Sequence, residues 1–270
     1  MTSATEGTPI WADATYPDLD KAREFYGDLF GWTFQSAGEE YGNYTQAFTA
    51  DGQAAAALAP PMPGGEDEPT GWTLHLATPD AAATAAKIKA NGGQVQMEPM
   101  QVGPFGTMAL ATDPTGVAFG LWQADQHVGF PPPGEQPQPG AFCWAEVNTS
   151  DAAKTDAFFP AVFGYSAQKM AGEEMDYAVW SVPGQDMPAM GRMATAGSDM
   201  PADALPPLNI CFAVADADAA VATVRKHGGQ VVWGPEDSPF GRLATVKEPQ
   251  GAVFTVIDVT KTEGEMPEFA

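Results

Sequence analysis

Two short stretches of this chain set an aromatic ring two residues from a carboxylate: Trp11-Ala12-Asp13 and Trp144-Ala145-Glu146. On a strand, residues two apart project from the same face, so each stretch places an indole beside an acid. If that face is shielded from water, two chemistries are open. The acid, its proton affinity raised by burial, can act as a general base. That makes Asp13 and Glu146 the candidate catalytic residues, for an isomerisation or a proton abstraction. Alternatively, ring and charge together can hold a cationic or amine-bearing small molecule. Against both stands a structural reading, in which each acid is satisfied by backbone N–H groups or a neighbouring side chain and each tryptophan fills a closed space. His75 could then serve Asp13, and Arg192 or Arg242 could serve Glu146. Other chemistries lack their residues. No serine stands in a nucleophile pattern with histidine and acid. Gly92-Gly93-Gln94-Val95 follows a helical stretch rather than opening one, so it is a helix stop and no phosphate cradle.

The formal net charge is −23, from 35 acidic and 12 basic residues. Such a chain repels nucleic acid and anionic membranes and steers cations toward itself, although acidic surfaces also serve solubility alone. No apolar run is long enough to span a bilayer. Met1 to Thr8 is polar and carries Glu6, unlike a signal peptide. The two cysteines, Cys143 and Cys211, are too few for a disulfide framework, and strand alternation sets them on opposite faces. These features lead us to expect a cytoplasmic protein that binds neither nucleic acid nor membrane.

The elements that carry these residues occur twice. Gly-Thr-Pro-Ile-Trp-Ala-Asp at 7–13 is matched by Gly-Ala-Phe-Cys-Trp-Ala-Glu at 140–146. Phe30-Gly31-Trp32 returns as Phe163-Gly164-Tyr165, Gly92-Gly93-Gln94-Val95 as Gly228-Gly229-Gln230-Val231, Pro104-Phe105-Gly106 as Pro239-Phe240-Gly241, and Asp113-Pro114-Thr115-Gly116 as Glu248-Pro249-Gln250-Gly251. Order is kept and the offset drifts only from 133 to 136 residues, which marks an internal duplication. Within the first copy the pattern predicts a strand over 10–15 and a helix capped by Asp18, with Leu19, Ala22, Phe25, Tyr26, Leu29 and Phe30 at helical spacing and Gly31 as its stop. Strands follow near 33–37, 43–50 and 53–59. A second module repeats the order: strand 72–78, helix 80–90, then strands near 94–102, 106–112 and 117–122. The chain is therefore α+β, built from four β-α-β-β-β modules. We expect a first domain over 1–124, a Pro-rich linker over 125–139, a second domain over 140–262 and an acidic tail over 263–270. Pro/Gly breaks at 60–69 and 197–207 divide each half into its modules.

Tandem β-α-β-β-β modules with these helix and turn motifs resemble the vicinal oxygen chelate superfamily, which holds glyoxalase I, extradiol dioxygenases, methylmalonyl-CoA epimerase and bleomycin-resistance proteins. The resemblance covers 7–123 and 140–258, and is nearest to actinobacterial tandem proteins that include a mycobacterial culture-filtrate antigen. It implies two glyoxalase/bleomycin-resistance-like domains with cup-shaped, barrel-like mixed sheets. In the family's metalloenzymes, first-strand and last-strand residues give His, Gln or Glu to a divalent ion. Carried over by position, the first-strand ligands fall on Trp11, Thr73, Trp144 and Asn209, and the last-strand ligands on Gly120 and Thr255. The strand at 54–58 is small and apolar, and its repeat around 187–192 offers no carboxylate. None of these is a good ligand for a hard or borderline cation. The expectation is no metal, no cofactor, and none of the family's shared metal chemistry.

On strand alternation, Trp11 and Asp13, Thr73 and His75, Trp144 and Glu146, and Asn209 and Cys211 face the cups. With Arg192 reachable from the second cup, the candidate ligand-binding set is Trp11, Asp13, Thr73, His75, Trp144, Glu146, Asn209 and Arg192. Phe105 and Phe240 are candidate lids or parts of tight turns. The leading expectation is a metal-free small-molecule binder of the sequestering or resistance type. A metal-independent isomerase or lyase using a buried carboxylate, and a non-catalytic protein with closed cups, are the alternatives. The ligand is an unknown small molecule for which a cation is one option. A tandem chain makes its pair internally, so a monomer is expected.

Overall fold

An aspartate opens each of the four helices. Asp18, Asp80, Asp151 and Asp216 accept the backbone N–H of Lys21, Ala83, Lys154 and Ala219 at 2.9–3.1 Å, filling one of the donors that a helix start leaves unpaired. Gly31 and Gly164 end the first and third helices in the left-handed conformation, which glycine adopts without a Cβ penalty. The computed structural model describes residues 4–61, 65, 70–131, 137–172, 175–185, 187–195 and 205–270. The breaks expected at 60–69 and 197–207, and the centre of the linker at 132–136, lie largely outside these residues.

The first half runs β1 (Pro9–Thr15), α1 (Leu19–Phe30), β2 (Thr33–Ser36), β3 (Thr45–Phe48), β4 (Ala54–Ala59), β5 (Trp72–Ala77), α2 (Ala81–Ala90), β6 (Gln94–Val102), β7 (Gly106–Thr112) and β8 (Ala118–Ala124). The second runs β9 (Phe142–Thr149), α3 (Ala152–Phe163), β10 (Ser166–Lys169), β11 (Tyr177–Ser181), β12 (Pro188–Ala194), β13 (Leu208–Ala213), α4 (Ala217–Lys226), β14 (Gln230–Ser238), β15 (Gly241–Lys247) and β16 (Val253–Asp258). Each half is one eight-stranded mixed sheet, ordered β2-β3-β4-β1-β5-β8-β7-β6 and β10-β11-β12-β9-β13-β16-β15-β14. The two modules of a half join through their first strands, β1 antiparallel to β5 and β9 antiparallel to β13. Modules thus pair within halves, and the sheets are open cups rather than closed barrels.

The helices cover one face of each sheet and also join the halves. Alanines such as Ala12, Ala14, Ala55, Ala56 and Ala145 let them lie close. Phe25, Tyr26 and Phe30 of α1 reach Phe212 and Phe254 of the second sheet. In the mirror arrangement, Phe158, Phe159 and Phe163 of α3 reach Phe119 of the first. The repeated Asp/Glu-Pro-x-Gly turns clip this pair. Gln250 exchanges two 2.9 Å hydrogen bonds with the Asp18 backbone, and Thr155 donates to Asp113 at 3.2 Å. The halves therefore share one aromatic core. Among the described residues no helix is long and apolar enough to cross a membrane.

Candidate functional site

The face of each sheet away from the helices carries a Trp–Tyr–acid chain. In the first half, the Trp11 indole N–H donates to the Tyr44 hydroxyl at 2.7 Å, and Tyr44 donates to Asp13 at 3.0 Å. In the second, the Trp144 indole donates to Tyr177 at 3.2 Å, and the Tyr177 hydroxyl stands beside Glu146. Tyr44 and Tyr177 were not singled out in the sequence. Their signal was the repeat offset: 133 residues separate Tyr44 from Tyr177, as they separate Trp11 from Trp144. Burial and the adjacent carboxylate push both phenols well above their ordinary range, so both remain hydrogen-bond donors.

Beyond that shared chain the cups differ. Asp13 has a second partner, His75, with Nε2 at 3.1 Å. The His75 ring stands over Gly120, its β8 neighbour in register, where a Cβ would lie 2.1 Å from Nδ1. Residues assigned to the linker complete the filling. Phe130 donates its amide to the Ile10 carbonyl at 2.7 Å, and the rings of His127 and Phe130 lie 4.4 and 5.4 Å from that of Trp11. Trp122 donates to the His127 carbonyl at 2.8 Å. Burial, reinforced by His75 and opposed by Asp13, lowers His127 to about 4, so it is neutral at neutral pH. Trp11 is only 3% exposed and packs in a cluster with Ile10, Ala57, Ala77 and Trp122, flanked by Phe105 and Tyr44. The first cup is plugged by its own chain.

Among the described residues, none fills the second cup in this way. Trp144 and Glu146 are half-buried, and Phe240, the repeat of Phe105, is exposed. Cys211 replaces His75. Asn209 is the direct cross-strand neighbour of Glu146. It donates Nδ2 to Thr255 at 2.8 Å, and Thr255 is tied in turn to Thr245, while the buried Asn209 Oδ1 has no partner among the described residues. Gly191 is level with Glu146 on β12 and has no side chain, which leaves room for the Tyr177 hydroxyl 2.1 Å from where its Cβ would be. Desolvation raises Glu146 to about 7, with the Tyr177 hydrogen bond opposing.

Several sequence expectations change here. Arg192 does not meet Glu146. It is fully buried and faces away from the cup, where it binds Asp156 at 2.8 and 3.0 Å and Asp176 at 2.7 and 2.8 Å. Arg242 pairs with Asp218 and Asp237 instead. Strand alternation also fails at one matched point in each half. The pairing register shifts between Pro9 and Trp11, and again opposite Cys211 and Phe212. These β-bulges turn Ile10 into the first-cup cluster and bring the Cys143 thiol against Cys211, 3.3 Å from its carbonyl. The two free thiols therefore adjoin, rather than standing on opposite faces. Thr73 is the cross-strand neighbour of Asp13.

The residues present do not fit the family's metal. Indoles stand at two ligand positions and spend their N–H groups on tyrosines. Any side chain at Gly120 would displace His75. Among the described residues, no three His, Cys, Asp or Glu side chains are grouped to hold an ion. A separate groove of about 500 Å³ lies on the outside of the first half, lined in part by Pro17, Asp18, Arg23, Asn43 and Pro60, and includes none of the cup residues. A prediction follows for the first cup. Gly120→Ala should lower unfolding free energy by about 2–3 kcal/mol through overpacking against His75. An unchanged denaturation midpoint would show that the His75–Asp13 pair can move aside freely.

Known proteins provide the wider setting. The chain is 37% identical over 258 residues to a Mycobacterium tuberculosis protein named as glyoxylase CFP32, covering 93% of this chain and 95% of that one. It is 33% identical to the anthracycline biosynthesis protein DauV of Streptomyces sp. strain C5, covering 96% of both. Among solved structures, the 2,3-dioxygenase LapB of Pseudomonas sp. KL28 superposes with a TM-score of 0.64 at 13% identity, covering 98% and 95% of the two chains. The Mn(II)-bound glyoxalase of Novosphingobium aromaticivorans gives 0.60 at 16% identity, covering 97% and 87%; at such identities the likeness is one of fold. With residues 10–121 and 142–256 each matching the same family, the chain belongs, twice over in tandem, to the Glyoxalase/Bleomycin resistance protein/Dioxygenase superfamily.

Proposed function

We propose that this is a metal-independent small-molecule-binding protein that works through its second cup, and that its ligand joins a protonated amine to a flat apolar body. The pair Glu146 and Asn209 carries this reading. They are neighbours on the concave face, and both present acceptors: a carboxylate beside the Tyr177 hydroxyl, and an amide oxygen with no partner among the described residues. Acceptors withdrawn from water call for donors or a cation. An ammonium group between them would serve both, with the Trp144 ring beside it for cation–π contact. The net charge of −23 favours approach of such a ligand. Relatives named for anthracycline biosynthesis agree with a small aromatic molecule. In this reading the first cup, whose acid already has Tyr44 and His75, is structural.

A second reading shares the site. A carboxyl group near pH 7 is well placed to take and return a proton, so Glu146 would act as general base on a bound substrate, with Tyr177 orienting it. Two measurements test these readings. Native mass spectrometry, on protein purified without chelator or metal-affinity tag, should find a retained organic mass and no stoichiometric divalent ion; such an ion would sink the metal-independent reading. Titration with 1-naphthalenemethylamine should show affinity rising about tenfold between pH 6 and pH 8 as Glu146 ionises, and a flat, weak profile in Glu146→Gln. If Glu146→Gln instead keeps its affinity for a turned-over substrate and loses the turnover, Glu146 is a base and not a binding group.

A further inference from the structure

The segment that follows the last strand takes opposite routes in the two halves. After β8 it folds inward. Asp125 and His127 donate their amides to the Phe105 carbonyl at 3.0 and 3.1 Å, and the chain fills the first cup. After β16 it passes along the rim. The Glu263 amide donates to the Ser238 carbonyl at 2.8 Å, beside the β14–β15 turn. The Ala171 amide then donates to the Glu268 carbonyl at 2.8 Å, and Lys169 and Ala270 exchange two backbone bonds at 2.9 Å, which adds 268–270 to β10. β14 and β10 are the two opposite edges of the second sheet. The six residue steps from 263 to 269 reach at most about 20 Å. The segment therefore ties the edges of the curled sheet together across the cup. Phe269 lies at its far anchor, half-buried, with its ring 6.5 Å from that of Tyr177.

We propose that residues 263–270 form a wall of the second cup and that Phe269 determines its ligand specificity. Standing on Tyr177, Phe269 limits the size of the apolar body that can accompany an amine held at Glu146. This deepens the binding reading above and rests on it. The joint with β10 is the movable part. It has three backbone bonds, and β10 is an edge strand with all four residues exposed, so it opens at lower cost than pairings within the sheet.

Cys211 reports on this wall whether or not anything binds. Its thiol lies within electrostatic reach of Glu146 and Tyr177. Alkylation of Cys211 by N-ethylmaleimide, followed by peptide mass, should be at least fivefold faster in Phe269→Ala than in the unaltered protein, with Phe269→Leu close to unaltered. Exchange of the Lys169 and Ala171 amides with deuterium should accelerate alongside it. Affinities for benzylamine, 1-naphthalenemethylamine and 1-pyrenemethylamine should shift toward the largest ring in Phe269→Ala, by tenfold or more relative to benzylamine. A wall that merely stabilised the sheet would change all three affinities alike. Unchanged Cys211 alkylation with amine binding intact overturns the wall and leaves the binding reading standing. Faster alkylation with no amine bound by either protein removes the binding reading, and the specificity role with it.

Discussion

Replacing Glu146 by glutamine should make the protein more stable at pH 8, by about 2 kcal/mol, and should do nothing of the kind at pH 4. The folded protein holds the Glu146 proton up to about pH 7, whereas an unfolded glutamate releases it near 4.5. Between these values the folded state binds more protons than the unfolded state, so stability falls as pH rises through the window and stays reduced above it. That difference in full would be worth about 3.4 kcal/mol; the side chain's partial exposure reduces it to about 2 kcal/mol. Glutamine keeps the shape and an acceptor for Tyr177 and has no charge to desolvate. Urea unfolding of both proteins at pH 4 and pH 8 measures the effect, and equal differences at the two pH values would mean that Glu146 is solvated or paired. The cost matters for function. A chain that keeps an uncompensated acid at this position, where glutamine would be more stable, fits selection for what the charge does to a ligand.

The architecture was legible because its signals are local and occur twice. Asp18, Asp80, Asp151 and Asp216 each cap the start of a helix, and Gly31 and Gly164 end the first and third. The site was half legible. Alternation put Asp13, Thr73, Glu146 and Asn209 on the cup faces, but the cross-strand register that sets Asp13 opposite Thr73 and Glu146 opposite Asn209 comes from the structure. Alternation failed at Ile10 and Cys143 because a bulge inserts one residue and inverts the faces beyond it, and the sequence carries no distinct mark of a bulge there. Tyr44, just before β3, and Tyr177, at the start of β11, lie far along the chain from their partners, at separations that no motif connects; only the duplication relates them. Arg192 was misassigned because its neighbour on the strand, Gly191, is the residue that faces the cup. The filling of the first cup by His127 and Phe130, and the crossing of the second by 263–270, depend on where segments without periodicity come to rest. That is decided by long-range packing, which is why a linker and an acidic tail, by composition, turned out to be parts of the two cups.

That difference in filling predicts opposite outcomes for the two tryptophans. Trp11→Ala should destabilise the protein by about 3–5 kcal/mol, the usual cost of removing a buried tryptophan from a packed core. Its indole lies against His127 and Phe130 and donates to Tyr44, so its loss also leaves the linker segment without its seat. Amine binding at the second cup should persist for as long as the variant is folded, because nothing in the Trp11 cluster borders Glu146. Trp144→Ala should do the reverse. Its ring is half-buried and is not part of either hydrophobic cluster, so stability should fall by about 1–2 kcal/mol. Affinity for 1-naphthalenemethylamine should fall at least thirtyfold, from lost cation–π contact and from a Tyr177 hydroxyl no longer held by the indole N–H. Equilibrium unfolding and amine titration of the two variants, side by side, give a four-way comparison in which a shared cause cannot mimic the result. Were Trp11→Ala to abolish binding while remaining folded, the first cup would be a site after all. The repeated Trp–Tyr–acid chain would then mark two working pockets, rather than one that works and one that has been filled to hold the fold.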